Sequence, residues 1–171
     1  MRSFAILATI FAATFGTTSA LVDASKRTWV NEDANGYDKR TSGSGCSPDG
    51  CVPYNSRDND LKANSRWSCQ GDILAGSDAD EGCCIAYYFE KPQDVVKMRV
   101  AFHKGDEDTR KLDVYVNDDH HSTITSSGST LGYQMFNLDT NETEELKLCL
   151  HDPKRNTDVW LSITEVQFLV K

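Results

Sequence analysis

The chain has 171 residues, 39% hydrophobic and 26% charged, with a formal net charge of -8. That is the balance of a globular protein, and it excludes a membrane-embedded bundle, a collagen-like rod and a disordered polar tail. The acidic surplus repels phosphate backbones, which argues against general nucleic-acid binding.

Residues 1–20 read as a secretory signal. Arg2 supplies the basic start, residues 4–15 the apolar stretch, and Thr18-Ser19-Ala20 the small residues before a cleavage point. The apolar stretch is shorter than the about 20 residues that a bilayer span needs. No second run of that kind follows, so an exported protein without a membrane span is predicted, secreted to the extracellular space or cell wall. Removing residues 1–20, which carry one basic and no acidic residue, leaves 151 residues at a charge of -9. A chain of that length supports one domain with a core. Thiols oxidise in the secretory pathway, so the six cysteines predict three disulfides rather than a metal site.

Residues 21–45 are poor in large apolar side chains and contain Asn35-Gly36, Gly43-Ser44-Gly45 and the dibasic pairs Lys26-Arg27 and Lys39-Arg40. They read as a flexible polar leader. The folded domain is predicted over 46–171. Cys46 and Cys51 bracket Ser-Pro-Asp-Gly, a turn sequence that suits a small disulfide loop. An Asn- and Asp-rich loop runs from Tyr54 to Ser68.

Strand-type runs then follow at 84–89, 95–102, 112–116, 122–125, 133–138, 146–150 and 159–170. Val96, Met98, Val100 and Phe102 alternate with Lys97, Arg99, Ala101 and His103. Leu112, Val114 and Val116 alternate with Asp113 and Tyr115, and Leu146, Leu148 and Leu150 with Lys147 and Cys149. No long segment carries a helical stripe. Short alternating strands separated by turn residues indicate an all-β antiparallel sandwich or barrel. Cys83 and Cys84 are adjacent, so their side chains leave a strand on opposite faces and do not bond each other. With 46–51 formed, the remaining pairs are either 69–83 with 84–149, or 69–84 with 83–149.

The sequence holds no Gly-x-Ser-x-Gly elbow, no His-Glu-x-x-His and no phosphate loop. No enzyme is expected. Asp106 and Glu165 could be set as a glycosidase pair on spacing alone, but a domain this small has little room for a deep cleft. His120-His121 follows Asn117-Asp118-Asp119 in a solvated hairpin turn. Asp58-Asn59-Asp60 opens an oxygen-rich loop of the kind calcium uses, without EF-hand spacing. Asn141-Glu142-Thr143 is an N-glycosylation sequon in a polar turn.

Several stretches, in order, resemble discoidin-like (F5/8 type C, galactose-binding-like) carbohydrate-binding modules of the kind attached to alginate lyases and other polysaccharide-degrading enzymes. They are Asp49-Gly50-Cys51-Val52-Pro53-Tyr54-Asn55 with Asp58-Asn59-Asp60-Leu61 and Ser65-Arg66-Trp67-Ser68; Ile85-Ala86-Tyr87-Tyr88-Phe89-Glu90-Lys91-Pro92; Ala101-Phe102-His103-Lys104-Gly105-Asp106 with Arg110 and Leu112-Asp113-Val114-Tyr115-Val116; Ser126-Ser127-Gly128 with Tyr133-Gln134-Met135-Phe136; and Trp160-Leu161-Ser162-Ile163-Thr164-Glu165-Val166. The resemblance covers about residues 47–170. It implies a jelly-roll β-sandwich and a structural calcium held by Asp58, Asp60, Ser65 and Glu165. It implies carbohydrate contacts from His103, Lys104, Asp106, Arg110, Tyr133 and Trp160, on loops at one end. The chain departs from the family in its six cysteines, in Leu150-His151-Asp152-Pro153 and in Leu161 beside Trp160.

The function these readings favour is a secreted, non-catalytic protein that binds cell-wall or extracellular polysaccharide. The alternatives are a secreted protein-interaction or adhesion module and, behind it, a small lyase or hydrolase. A polysaccharide-active enzyme or another secreted protein would be its neighbour. A polyuronate such as alginate is anionic. Binding one would need a local basic patch, for which Lys97, Arg99, Lys104, Arg110 and Lys111 are available, or calcium bridging. Otherwise a neutral glycan is favoured.

Overall fold

The structure is a computed structural model that describes residues 22–23, 30–35, 46, 50–70, 83–151 and 160–171. The secretory signal read over 1–20 lies outside the described residues. Two antiparallel sheets make up the fold. The first runs β1 (Val22–Asp23), β10 (Trp160–Val170), β5 (Val95–Phe102) and β8 (Gln134–Asn137), with β3 (Trp67–Gln70) also pairing β10. The second runs β2 (Val30–Asn35), β4 (Cys84–Gln93), β9 (Thr143–Leu150), β6 (Lys111–Val116) and β7 (Asp119–Thr125).

The alternation read from the sequence sets the two faces of these strands. Met98, Val100 and Phe102 of β5, Leu112 and Val114 of β6, and Leu146, Leu148 and Leu150 of β9 all join one buried core between the sheets. Ile85, Tyr87 and Phe89 of β4 meet Val166, Phe168 and Val170 of β10 across it. Trp67 belongs to this core and has no exposed surface. Asn117 and Asp118, at φ of 50° and 68°, make the two-residue turn between β6 and β7. Two left-handed residues are what a type I′ hairpin requires.

All six cysteines are paired: Cys46–Cys51, Cys69–Cys83 and Cys84–Cys149. Cys83 points into the core with Cys69. Cys84 lies directly across from Cys149 in the β4–β9 register, with 4.1 Å between the Cα atoms. That resolves the choice between the two remaining pairings.

Residues 22–23 and 30–35 differ from the sequence reading, which places them in a flexible leader. The structure pairs Val22 with Val170 and Val30 with Phe89, so both segments add strands to the sandwich. Strand pairing uses backbone N–H and C=O groups, and a polar strand such as β2 has no alternating stripe to betray it.

On the outer face of the second sheet, Asp113 is flanked by His151 (2.8 Å to Oδ2) and His120 (3.5 Å to Oδ1). Partial burial disfavours its charge. Hydrogen bonds from Thr123 and His151, with the electrostatic pull of His151, outweigh that and hold the carboxyl below its ordinary range. Among the described residues no group of three or more His, Cys, Asp or Glu side chains could hold a metal ion.

Candidate functional site

Three chain segments meet at one end of the sandwich. The first is the turn after β5, residues 103–110. Lys104 has φ of 56°, and its carbonyl accepts from the amides of Glu107 and Asp108, both at 3.0 Å. The His103 amide donates to the Ser162 carbonyl at 3.1 Å, which pins the turn to β10. The second segment is the loop 126–133. Its Thr130 amide donates to the Gly105 carbonyl (3.1 Å), and Ser126 and Arg110 exchange bonds of 2.8 Å and 2.6 Å. The third is the start of β10, where Trp160 is half-buried opposite Gln70.

Arg110 ties these segments together. Its Nε donates to the Trp160 carbonyl (2.8 Å), one terminal nitrogen to the Thr109 carbonyl (2.9 Å), and the other to Asp108 Oδ2 (3.0 Å). A planar guanidinium held on three sides is fixed in orientation, and its remaining N–H groups face a defined direction. His103 is half-buried. Burial, followed by the nearby charges of Arg66 and Lys104, lowers its pKa, and Glu107 opposes them only weakly. The imidazole is therefore neutral at neutral pH and can both donate and accept.

The structure thus brings His103, Lys104, Asp106, Arg110 and Trp160 to one end. Asp106 is exposed on the turn, and Lys104 Nζ lies 3.2 Å from Glu107 Oε2. Tyr133 closes the second of these loops, with the Arg99 guanidinium 5.2 Å above its ring. Sequence reasoning missed Arg66 and Asp108. Arg66 precedes Trp67 and donates Nε to Ser68 Oγ at 3.1 Å; its place beside the fully buried Trp67 was the available signal. Asp106 and Glu165 share no accessible cleft, because Glu165 is 0% exposed while Asp106 lies on the surface.

Gly105 sets how closely the first two loops approach. A Cβ at this position would lie 2.5 Å from the Thr130 carbonyl oxygen. That is a backbone atom that cannot move alone. Gly105→Ala is expected to push the 126–133 loop outward and weaken ligand binding at this end by about tenfold, ~1.4 kcal/mol, while costing about 1–3 kcal/mol of stability. Calorimetric titration and thermal melting of the variant check both.

A second constellation lies at the edge of the sandwich. A short 3-10 turn (Pro53–Ser56) closes that edge, its Ser56 hydroxyl 2.9 Å from Tyr87 Oη. The loop continues through Asn59, at φ of 64°, whose amide donates to Glu165 Oε2 at 2.8 Å. Asp58 accepts from the Asp60 amide (2.8 Å) and from the Ser65 hydroxyl. Asp60 itself turns to Lys62, 3.0 Å away. Asp58, Ser65 and Glu165 therefore surround one loop, and the Asp60 carboxylate is engaged elsewhere.

No family model matches the chain, and no curated protein matches it. Solved structures do. A CBM32 of AlyQ in complex with 4,5-unsaturated mannuronic acid is 21% identical, with TM-score 0.60 over 81% of this chain and 92% of that one. A pectin-binding carbohydrate-binding module is 17% identical, with TM-score 0.59 over 81% and 88%. The F5/8 type C domain of a Bacteroides fragilis protein is 14% identical, with TM-score 0.57 over 89% and 96%. The chain has the fold of the discoidin-like CBM32 and F5/8 type C modules, a disulfide-linked antiparallel jelly-roll β-sandwich.

Proposed function

We propose that this protein is an exported, non-catalytic carbohydrate-binding module that recognises cell-wall or extracellular polysaccharide through the loops at one end of the sandwich. The observation that carries the reading is the convergence of His103, Lys104, Arg110 and Trp160 from separate segments onto that end. The fold supports it: one similar module holds a mannuronic acid derivative and another binds pectin. Sugars stack their apolar ring faces on aromatic rings and exchange hydrogen bonds with fixed polar groups. Trp160 and the pinned Arg110 offer both.

The test is binding of the purified protein to a panel of soluble and insoluble polysaccharides, with released sugar assayed in parallel. The expected result is saturable binding without release, weakened at least about tenfold, ~1.4 kcal/mol, by Arg110→Ala. Sugar release, or a blank panel, sinks the reading. A blank panel would turn the search to a protein partner.

A structural calcium belongs to the same proposal. A wholly buried carboxylate needs compensation, and Glu165 is one. Asp58, Ser65 and Glu165 supply only oxygen, the donor a hard cation takes, and backbone carbonyls would complete the shell. The residues fit calcium, with Asp60 left to Lys62. Bound calcium would neutralise the buried charge and fix the edge loop. Chelation is expected to lower the melting temperature by about 5–10 °C, reversed by added calcium and absent in Glu165→Gln. A melting temperature indifferent to chelator contradicts it.

An N-glycan at Asn141 would suit the same picture. Asn141 is exposed in the turn between β8 and β9. That turn packs by Val95, where the Thr140 amide donates to the Val95 carbonyl (2.9 Å). It lies about 26 Å along β5 from the His103 end.

A further inference from the structure

Among the described residues the first sheet ends at β8, with no strand beyond it. The Leu138 amide donates to the Val96 carbonyl at 2.9 Å, in the same register that sets Phe136 against Met98 and Gln134 against Val100. Bonded residues alternate along an antiparallel pair. Leu138, Phe136 and Gln134 therefore turn their backbone groups to β5, and Met135 and Asn137 turn theirs away. Among the described residues nothing bonds to the outward N–H and C=O of either.

Native sheets blunt such edges with charge, proline or a bulge. β8 reads Gln134-Met135-Phe136-Asn137, without charge or proline, and its pairing with β5 has no break in register. The edge strand β7 of the second sheet differs, because its pairing shifts register next to Tyr115.

The two sides of β8 differ in chemistry. On the core side Phe136 is half-buried against the core cluster. On the outer side Met135, 52% exposed, lies beside Arg99, and exposed Asn137 lies beside Lys97. Among the described residues the Lys97 ammonium has no carboxylate within ion-pair distance. An added strand would lie two strand spacings from β5, about 9.6 Å. A lysine and a glutamate side chain together span that gap. Alternate residues of the added strand would meet Arg99 and Lys97 on the outer side, and the residue between them would meet Phe136. The pattern that fits is acidic, apolar, acidic.

We infer that β8 is a docking edge for an extended segment of another protein, in which acidic residues flank an aliphatic one, added as a further strand of the first sheet. A second copy of this chain fits less well. Pairing β8 with itself turns Lys97 and Arg99 of each copy toward those of the other, and each chain carries -8 overall. The inference does not depend on the glycan reading.

The experiment is titration of the isotopically labelled protein with a blocked peptide, Thr-Glu-Val-Glu-Val-Glu-Thr, and with its counterpart carrying Lys in place of Glu, read by backbone amide shifts. The expected result is saturable binding of the acidic peptide that perturbs residues 97–99 and 134–138 and leaves 103–110 in place. The lysine peptide is expected to bind at least about fivefold more weakly, and Lys97→Glu to weaken the acidic peptide by a similar factor. Affinity should fall about threefold between about 50 and about 300 mM sodium chloride. Met135→Pro removes one outward N–H and leaves the ladder to β5 intact. It is expected to weaken binding at least about fivefold at an unchanged melting temperature; should it fail to fold, Lys97→Glu carries the test. No saturable shift, equal binding of the two peptides, or shifts that leave 134–138 unmoved overturns the inference. Concentration-dependent shifts at 134–138 without peptide would make a second copy the occupant and overturn it as well.

Discussion

Replacing Cys84 and Cys149 together with alanine is expected to cost about 4 kcal/mol of folding stability. The bond closes a loop of 65 residues. In the chain-entropy description that lies between about 3 kcal/mol for a 15-residue loop and about 4.7 for a 100-residue loop. The bond also joins two neighbouring central strands at directly opposed positions, so the native state needs no rearrangement to form it. A shift of the urea midpoint at unchanged slope measures the effect. A loss under about 1 kcal/mol would show that β4 and β9 are already held in the unfolded ensemble. Cys69–Cys83, with a separation of 14, should matter less, at about 3 kcal/mol.

Phe168→Ala is the second large effect, at about 3–5 kcal/mol. Phe168 reaches from β10 across the core to β4. Its ring meets Tyr87 at 5.2 Å and 66°, and Phe89 at 5.3 Å and 72°, both edge-on. Such pairs add about 0.5–1.5 kcal/mol each beyond burial. The side chain is 1% exposed, and the sheets cannot close over the space it leaves without moving β10 as a whole. Phe168→Leu keeps most of the volume and is expected to lose less than half as much. Equal losses in the two variants would mean that the ring contacts, not the filled volume, hold the sheets together.

The sequence shows the core strands because each buries one face. Leu112 and Val114 turn inward while Asp113 turns out to meet His151. β10 is harder to read: every residue from Leu161 to Phe168 is buried. A break in register between Ile163 and Glu165 also shifts its phase. β2 and β3 escape notice because one is polar and the other is four residues long. The disulfide choice was in reach. Ile85, Tyr87 and Phe89 face inward, so Cys83 does too and Cys84 faces out. Leu148 and Leu150 face inward, so Cys149 faces out with Cys84.

At the loop end the spacing of His103, Lys104 and Arg110 was legible, but their partners were not. Nothing in a one-dimensional pattern places the Arg110 guanidinium on the Trp160 carbonyl, 50 residues away. That contact depends on where β6 and β10 begin. The ion pairs of Lys104 and Arg110 are equally invisible until the turn folds back on itself.

The most direct test is to map backbone amide chemical shifts while titrating the protein with the glycan it binds most tightly. The account predicts that perturbed amides cluster at residues 103–110, 126–133 and 160–162. Perturbation centred instead on the outer face of either sheet, with those loops unmoved, would contradict it.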